Sequence, residues 1–212
     1  MSRILIFANG LLPDLESTRT LIKPDDIIFC ADGGTHHALA LGLQPSLIIG
    51  DLDSMTPEIR RLIEQKAKII QHPHDKNETD LELAIDYALE HKPGSILIAG
   101  ALGNRLDQTL GNIALLSDIR LAALDVRLDD GVEEVFFCRK PVEVAGKNGD
   151  LVSLIPWRGE VVGVRTEGLK WPLLGETLYP EKTRGISNEM LGKAASIRIE
   201  SGLLLIVHRR QS

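Results

Sequence analysis

Three short apolar segments in the first half of the chain each end in glycine and aspartate. With the residues that follow them, they are I-I-F-C-A-D-G-G (27–34), I-I-G-D-L-D (48–53) and I-L-I-A-G-A-L-G-N-R-L-D (96–107). Apolar runs of this length are typical of buried strands, and α/β proteins place their functional groups after the carboxyl ends of such strands. Two carboxylates as close in sequence as Asp51 and Asp53 repel each other unless a cation lies between them. The pair therefore predicts a divalent cation with oxygen ligands, and Mg²⁺ usually binds together with phosphates.

Strand-like and helix-like segments alternate up to about residue 126. The predicted strands are Ile4–Ala8, Ile27–Cys30, Leu47–Ile49, Lys68–Gln71 and Ile96–Ala99, and the predicted helices are Thr35–Leu43, Pro57–Ala67, Thr79–Glu90 and Leu106–Leu121. The helix after Thr79 has the clearest signals, because Thr79 and Glu82 form a capping box ahead of an apolar stripe at helical spacing. The alternation predicts a Rossmann-like, mostly parallel sheet with helices on both faces.

The second half of the chain has a different pattern, with short segments of period two separated by glycines. The strand-like segments are Val142–Val144, Leu151–Ile155, Val161–Val164, Ile197–Ile199 and Leu203–Val207. Many short strands with glycine turns indicate an antiparallel sandwich or barrel. We therefore expect two domains, an α/β domain over residues 1–126 and an all-β domain over residues 127–212.

Charge and composition exclude several classes of partner. The net charge is −6, whereas a nucleic-acid backbone requires clustered lysine and arginine, so we expect no nucleic-acid partner. Apolar runs are all far shorter than the roughly 18 residues of a membrane span, so we expect no membrane partner. Two cysteines do not make a disulfide framework, and the first residues do not resemble a signal peptide. A cytoplasmic location is expected.

Several motifs have a plain structural explanation beside the functional one. The segment H-P-H-D (72–75) has His-x-His spacing, but no cysteine or further histidine lies nearby, and an exposed loop is a better interpretation than a zinc site. Asp80 at the first position of its helix is explained by the helix dipole alone. Yet the segment 75–80 also brings charges and helix N–H groups to a place where phosphate would bind. The loop from Gly100 to Gly103 has two interpretations. It is a simple tight turn, or it forms a phosphate and metal site together with Arg105 and Asp107, which follow it.

Seven motifs in one order resemble the thiamine pyrophosphokinase family, over roughly residues 27 to 207. They are C-A-D-G-G (30–34), P-S-L-I-I-G-D-L-D-S (45–54), D-K-N-E-T-D-L-E-L-A (75–84), G-A-L-G-N-R-L-D-Q-T-L-G-N (100–112), G-D-L-V-S-L-I-P (149–156), T-E-G-L-K-W-P-L (166–173) and G-I-S-N-E (185–189). There are three departures from the family pattern. Asn104 stands where a second glycine is common, Asn77 where an aspartate is common, and Gln108 where a histidine is frequent.

The resemblance implies an activity and a set of residues. The family transfers the terminal pyrophosphate of ATP to the hydroxyethyl group of thiamine, which gives thiamine diphosphate and AMP. It implies an α/β nucleotide domain, a β-sandwich that binds thiamine, and a homodimer whose cleft lies between domains and subunits. It also implies Mg²⁺ held by Asp51, Asp53, Asp80 and Asp107, with Arg105 as a further catalytic group. The ATP-binding residues implied are Asp32, Gly33, Gly34, Lys76, Thr79, Gly100, Gly103, Asn104 and Arg105.

Three residues of the second half are implied in thiamine binding. Thiamine is a cationic thiazolium joined to an aminopyrimidine, so it favours an aromatic face with a few polar groups. Trp171 would supply the face, and Ser187 and Asn188 would supply hydrogen bonds. Without the resemblance, the sequence favours a structural interpretation of these residues. In that interpretation Trp171 caps the sandwich core and Ser187-Asn188 form a turn.

Two alternatives stay open. Related nucleotide domains with similar acidic motifs transfer pyrophosphate to 6-hydroxymethyl-dihydropterin, and that activity does not require Trp171 or the segment at Ser187. The other alternative is a thiamine- or nucleotide-binding regulator without catalysis. Loss of a metal-binding carboxylate would favour the regulator, and all four carboxylates are present.

Overall fold

The computed structural model describes residues 2–53 and 66–211. The chain divides into two compact units, Met1–Gly131 and Val132–Ser212. The predicted domain boundary after residue 126 stays a prediction; residue 126 itself lies within a strand of the first unit. Most of the predicted helix Pro57–Ala67 lies outside the described residues.

The first unit contains a parallel sheet of six described strands in the order β6-β5-β1-β2-β3-β4. The strands are β1 Arg3–Phe7, β2 Ile27–Ala31, β3 Leu47–Gly50, β4 Lys68–Gln71, β5 Ser95–Ala99 and β6 Asp125–Asp129. β1 is an inner strand. On one side of it lie β2, β3 and β4 in chain order, and on the other side lie β5 and β6. Between β1 and β5 the order therefore reverses, and in open α/β sheets a crevice for ligands forms at such a point.

Helices cover both faces of β1. The described helices of this unit are α1 Leu15–Thr20, α2 Gly34–Ala40, α3 Asp80–Glu90 and α4 Leu106–Leu115, followed by a short 3₁₀ helix, Ile119–Leu121. Ala38 of α2 packs in a buried cluster with Leu5 and Phe7, which lie on one face of β1. Ile4 and Ile6 on the opposite face are also fully buried. Alternate residues of a strand point to opposite faces, so burial of both sets confirms the predicted α/β layers.

Three helices and one strand of this unit differ from the sequence prediction. β6 was not predicted, and α2 ends at Ala40 instead of continuing to Leu43. α4 ends at Leu115 instead of continuing to Leu121, because Asp118 begins a new turn by accepting a hydrogen bond from the Arg120 N–H at 2.8 Å. α1 was not predicted. Asp14 caps α1 through a 3.0 Å bond from the Glu16 N–H, but the helix is too short to show an apolar period.

The second unit is an antiparallel β-sandwich. Its strands are β7 Glu133–Cys138, β8 Val142–Ala145, β9 Leu151–Pro156, β10 Val161–Glu167, β11 Leu174–Leu178, β12 Asn188–Glu189, β13 Ala194–Arg198 and β14 Leu204–Arg209. They pair in two sets, β12-β9-β14-β7 and β11-β10-β13-β8. Side chains of both sets, such as Leu154 and Val164, fill one buried cluster. Two facing sheets with a common core confirm the predicted sandwich, although β7, β11 and β12 were not predicted as strands.

Among the residues that the structure describes, no helix is both long enough and apolar enough to cross a lipid bilayer.

Candidate active site

A cavity of about 460 Å³ lies at the carboxyl edge of the parallel sheet, where the strand order reverses. Residues that follow β1, β2, β3 and β5 line it, together with the first turn of α3. The predicted site residues in this lining are Asp32, Asp51, Lys76, Thr79, Asp80, Gly100, Gly103, Asn104 and Arg105. One cavity therefore collects residues from four of the motifs identified in the sequence.

The loops after β1 and β5 meet at one side of this cavity. The Gly10 N–H donates to the Gly100 carbonyl at 2.6 Å, and the Nε2 atom of His37 lies 2.8 Å from the Gly10 carbonyl oxygen. Sequence reasoning missed Asn9 and Gly10. They were detectable, since they follow the apolar run of β1 as the other polar loops follow theirs.

Asp32 is held in a tight turn after β2. Its φ is 41°, in the left-handed region, and its N–H donates to the Ile49 carbonyl at 2.9 Å. Its own carbonyl accepts from the Thr35 hydroxyl at 2.8 Å. Gly33 and Gly34 do not line the cavity. They allow close packing, since a Cβ atom on Gly34 would lie 2.0 Å from the Phe7 carbonyl oxygen.

Asp51, Asp53 and His74 form a cluster able to hold a metal ion, with one ligand atom from each lying within 4.8 Å of the others. His74 Nε2 is 3.9 Å from Asp51 Oδ2. The histidine was predicted to lie in an exposed loop, and its side chain is 85% exposed, but its proximity to Asp51 was missed. The cause is the pairing of β3 with β4: the His72 N–H donates to the Gly50 carbonyl at 2.9 Å, so the two loops leave the sheet side by side. Carboxylate oxygens are suitable ligands for Mg²⁺. With the imidazole as a third ligand, the cluster would also bind Mn²⁺ and similar ions.

Asp80 and Lys76 form an ion pair in the wall of the cavity. Lys76 Nζ lies 2.8 Å from Asp80 Oδ1, and both side chains are largely buried. Thr79 caps α3 by accepting a 3.2 Å hydrogen bond from the Glu82 N–H, as the capping box predicts. The arrangement places an ammonium group and the first N–H groups of α3 beside the cavity, which suits phosphate oxygens.

Arg105 and Asp107 pair with each other at the start of α4. Arg105 Nη2 lies 2.5 Å and Nε 3.2 Å from the Asp107 carboxylate, and both side chains are exposed. These hydrogen bonds lower the pKa of Asp107. Asp80 and Asp107 lie outside the cluster formed by Asp51, Asp53 and His74, so their roles as metal ligands stay predictions.

The loop before Arg105 explains one departure from the family pattern. Gly103 and Asn104 both have positive φ, 74° and 64°. Glycine adopts this conformation without strain, and asparagine is the side-chain-bearing residue most often found there. Asn104 therefore preserves the shape of the loop.

The second unit has its own cavity of about 350 Å³, which Trp171 and Asn188 line together with Arg184 and Ile186. Trp171 is 47% exposed, whereas its neighbours Leu169 and Leu173 are buried in the sandwich. The indole therefore does not act as the core cap that the plain interpretation of the sequence favours. Arg184 was missed by sequence reasoning; its guanidinium forms two 3.0 Å hydrogen bonds to Glu176.

Ser187 and Asn188 are placed differently from each other. Ser187 is not part of the cavity lining; its N–H donates to Ser153 Oγ at 2.9 Å. Asn188 is buried, and its side chain bonds to the backbone of Trp171. Direct contact of these two residues with thiamine stays a prediction.

The fold and the cavity at the carboxyl edge of its sheet define an α/β protein of the nucleotide-binding type, joined to a β-sandwich with an aromatic cavity. Two family models match in the corresponding order. The model described as "Thiamin pyrophosphokinase, catalytic domain" matches residues 18–128, and "Thiamin pyrophosphokinase, vitamin B1 binding domain" matches residues 140–204. The chain belongs to the thiamine pyrophosphokinase family.

Individual relatives agree with this assignment. Thiamine pyrophosphokinase of Bacillus subtilis is 32% identical over 98% of this chain and 98% of its own. Thiamine pyrophosphokinase 1 of Oryza sativa is 28% identical, covering 85% of this chain and 78% of its own. The crystal structure of the Bacillus subtilis protein superimposes with a TM-score of 0.88 at 27% identity over the whole of both chains.

Proposed function

We propose that this protein transfers the terminal pyrophosphate of ATP to the hydroxyethyl oxygen of thiamine, giving thiamine diphosphate and AMP. The observation that carries the proposal is the cavity at the reversal of strand order, which combines carboxylates, a lysine and glycine loops. Transfer of a phosphate group depends on positioning and on neutralising the charge of its oxygens. The cavity provides both kinds of group.

The carboxylates form the proposed metal site. Asp51 and Asp53, with His74 beside them, would hold Mg²⁺, and Asp80 and Asp107 are the further ligands that the resemblance implies. Bound Mg²⁺ supplies positive charge against the oxygens of the transferred group. Oxygen donors are what this ion requires, so the residues present fit it.

The neighbouring groups orient the nucleotide. Lys76 and the first N–H groups of α3 would bind phosphate oxygens, and Arg105 would bind them in place of its ion pair with Asp107. The loops at Asp32 and from Gly100 to Asn104 would shape the rest of the nucleotide site. The thiamine hydroxyl must lose a proton during transfer, and the carboxylates of the cavity are the candidates to accept it.

Trp171 is the proposed thiamine contact. Its half-exposed indole at the 350 Å³ cavity offers a flat surface to the aminopyrimidine and the thiazolium cation. This feature favours thiamine over the dihydropterin alternative, which does not require an aromatic residue here.

We also propose a homodimer in the cytoplasm. Large apolar side chains are exposed one helical turn apart on α4, at Leu106 and Leu110, and contact with a second subunit would remove their apolar surface from water. Both cysteines are free and buried, as is usual in a reducing compartment, and burial raises the pKa of the Cys138 thiol to about 11, which lowers its reactivity. Light scattering that gives a single species of 23.3 kDa would contradict the dimer.

The substrate is tested by offering thiamine and 6-hydroxymethyl-dihydropterin separately with ATP and Mg²⁺. We expect consumption of thiamine alone, with AMP as the nucleotide product. Consumption of the pterin alone would support the alternative diphosphokinase. Tight binding of thiamine without any AMP would support the non-catalytic regulator.

A further inference from the structure

Asn188 holds the backbone of Trp171 through both ends of its side-chain amide. Oδ1 accepts a hydrogen bond from the Trp171 N–H at 3.0 Å, and Nδ2 donates to the Trp171 carbonyl at 2.7 Å. Oδ1 also accepts from the Glu189 N–H at 3.0 Å. The residue is only 4% exposed, so these bonds are shielded from water. Three of the hydrogen bonds that this amide is able to make are thus used within the protein.

The position of Trp171 explains why its backbone is hydrogen-bonded by a side chain instead of by a neighbouring strand. The residue lies outside the described strands, between the bridge of Leu169 to Met190 and the start of β11. The following residue is Pro172, which has no N–H to donate. The Asn188 amide therefore replaces the hydrogen bonds of a neighbouring strand, because it bonds to both the N–H and the carbonyl of Trp171.

Lys170 fixes the indole from a second direction. Its Nζ atom lies 4.7 Å from the centroid of the Trp171 ring and 2.7 Å from Glu189 Oε2. Its N–H donates to the Glu189 carbonyl at 2.9 Å. The lysine side chain occupies one face of the indole, which leaves the other face for a ligand.

We propose that Asn188 is a positioning residue that acts on thiamine through Trp171, instead of contacting thiamine itself. Only the identity of the ligand rests on the proposed function. The positioning of Trp171 is a property of the free protein. Loss of the amide frees the Trp171 backbone, so the indole spends less time in the orientation that the ligand requires.

Trp171 fluorescence tests this directly. The chain has two tryptophans, so Trp157→Phe leaves Trp171 as the only one. We expect Asn188→Ala in this background to increase the local motion of Trp171, seen as lower residual fluorescence anisotropy without ligand. The Kd for thiamine, from quenching of the same fluorescence, is expected to rise about tenfold, because binding must then supply the free energy of ordering Trp171, about 1.4 kcal/mol for a tenfold change. We expect KM for thiamine to rise with it, and kcat at saturating thiamine to stay near the parent value.

Two further variants calibrate the result. Asn188→Asp keeps the acceptor for the Trp171 and Glu189 N–H groups but places a carboxylate oxygen against the Trp171 carbonyl oxygen in place of the donor. Its anisotropy is therefore also expected to lie below the parent value. This variant also carries the test if circular dichroism shows that Asn188→Ala does not fold. Ser187→Ala is the matched control, because it alters the adjacent side chain and keeps the backbone bond to Ser153. We expect it to leave the anisotropy of Trp171 at the parent value.

The outcomes separate this inference from the proposed function. Weaker thiamine binding by Asn188→Ala with unchanged Trp171 anisotropy would mean that Asn188 contacts the ligand, and would overturn the inference. Unchanged anisotropy and unchanged binding would also overturn it. If the parent protein does not bind thiamine, the proposed function fails, and the anisotropy of the free variants still decides whether Asn188 positions Trp171.

Discussion

Replacing Asp51 or Asp53 by asparagine is expected to lower turnover by about 10²-fold or more, with the fold intact. Asparagine keeps the shape of the side chain and removes the charge that would hold Mg²⁺ against the transferred group. Both residues follow β3 outside the apolar core, so thermal unfolding should change little. Steady-state turnover with thiamine, ATP and Mg²⁺ measures the first effect, and a thermal melt measures the second.

Asp125→Asn is the matched control for this pair. Asp125 is an exposed carboxylate at the beginning of β6, so it lies at the amino edge of the parallel sheet, away from the cavity. Its bond to Arg127, at 2.8 Å, is a surface interaction of small energetic value. We expect turnover near the parent rate. Near-normal rates for both Asp51→Asn and Asp53→Asn would show that the metal site is assigned to the wrong residues.

Gly34→Ala is expected to destabilise the first unit by about 3 kcal/mol or more, since overpacking at a backbone contact is costly. The added Cβ would lie 2.0 Å from the Phe7 carbonyl oxygen and 2.4 Å from its carbon. Phe7 is part of the central strand β1, so neither partner is able to move without disturbing the sheet. A loss of this size corresponds to a Tm lower by roughly 6–12 °C for the transition that involves this unit.

Gly111→Ala provides the opposite control. Gly111 lies inside α4, and a Cβ there would meet no atom within 4 Å. Alanine is more favourable than glycine within a helix by about 1 kcal/mol, so this variant should be slightly more stable than the parent. Equal stability of Gly34→Ala and the parent would show that α2 does not pack against β1 as closely as described.

The fold was largely predictable because its elements carry strong local signals. β3 and β5 are uninterrupted apolar runs, and α3 has both a capping residue and an apolar stripe at helical spacing. α1 and β12 carry no such signal. α1 is six residues long and β12 only two, so tertiary contacts define them instead of a repeated pattern.

The site was predictable only as a set of loops, since its contacts depend on which strands are neighbours. The approach of His74 to Asp51 follows from the pairing of β3 with β4, which the spacing of residues does not reveal. The bonds between Asn188 and Trp171 join residues 17 positions apart in irregular segments. Family resemblance suggested both residues of that pair, but it did not indicate that one holds the other.

Transfer of label from ATP that carries ³²P at its β phosphorus tests the central claim most directly. If the two outer phosphates move as one group, the thiamine oxygen bonds to the β phosphorus, and the bond between the β phosphorus and the oxygen that bridges it to the α phosphorus is broken. The bridging oxygen leaves with AMP. The account predicts label in thiamine diphosphate and unlabelled AMP, formed in equal amounts and only when a divalent metal is present. Label retained in ADP, with thiamine monophosphate as the other product, would contradict it.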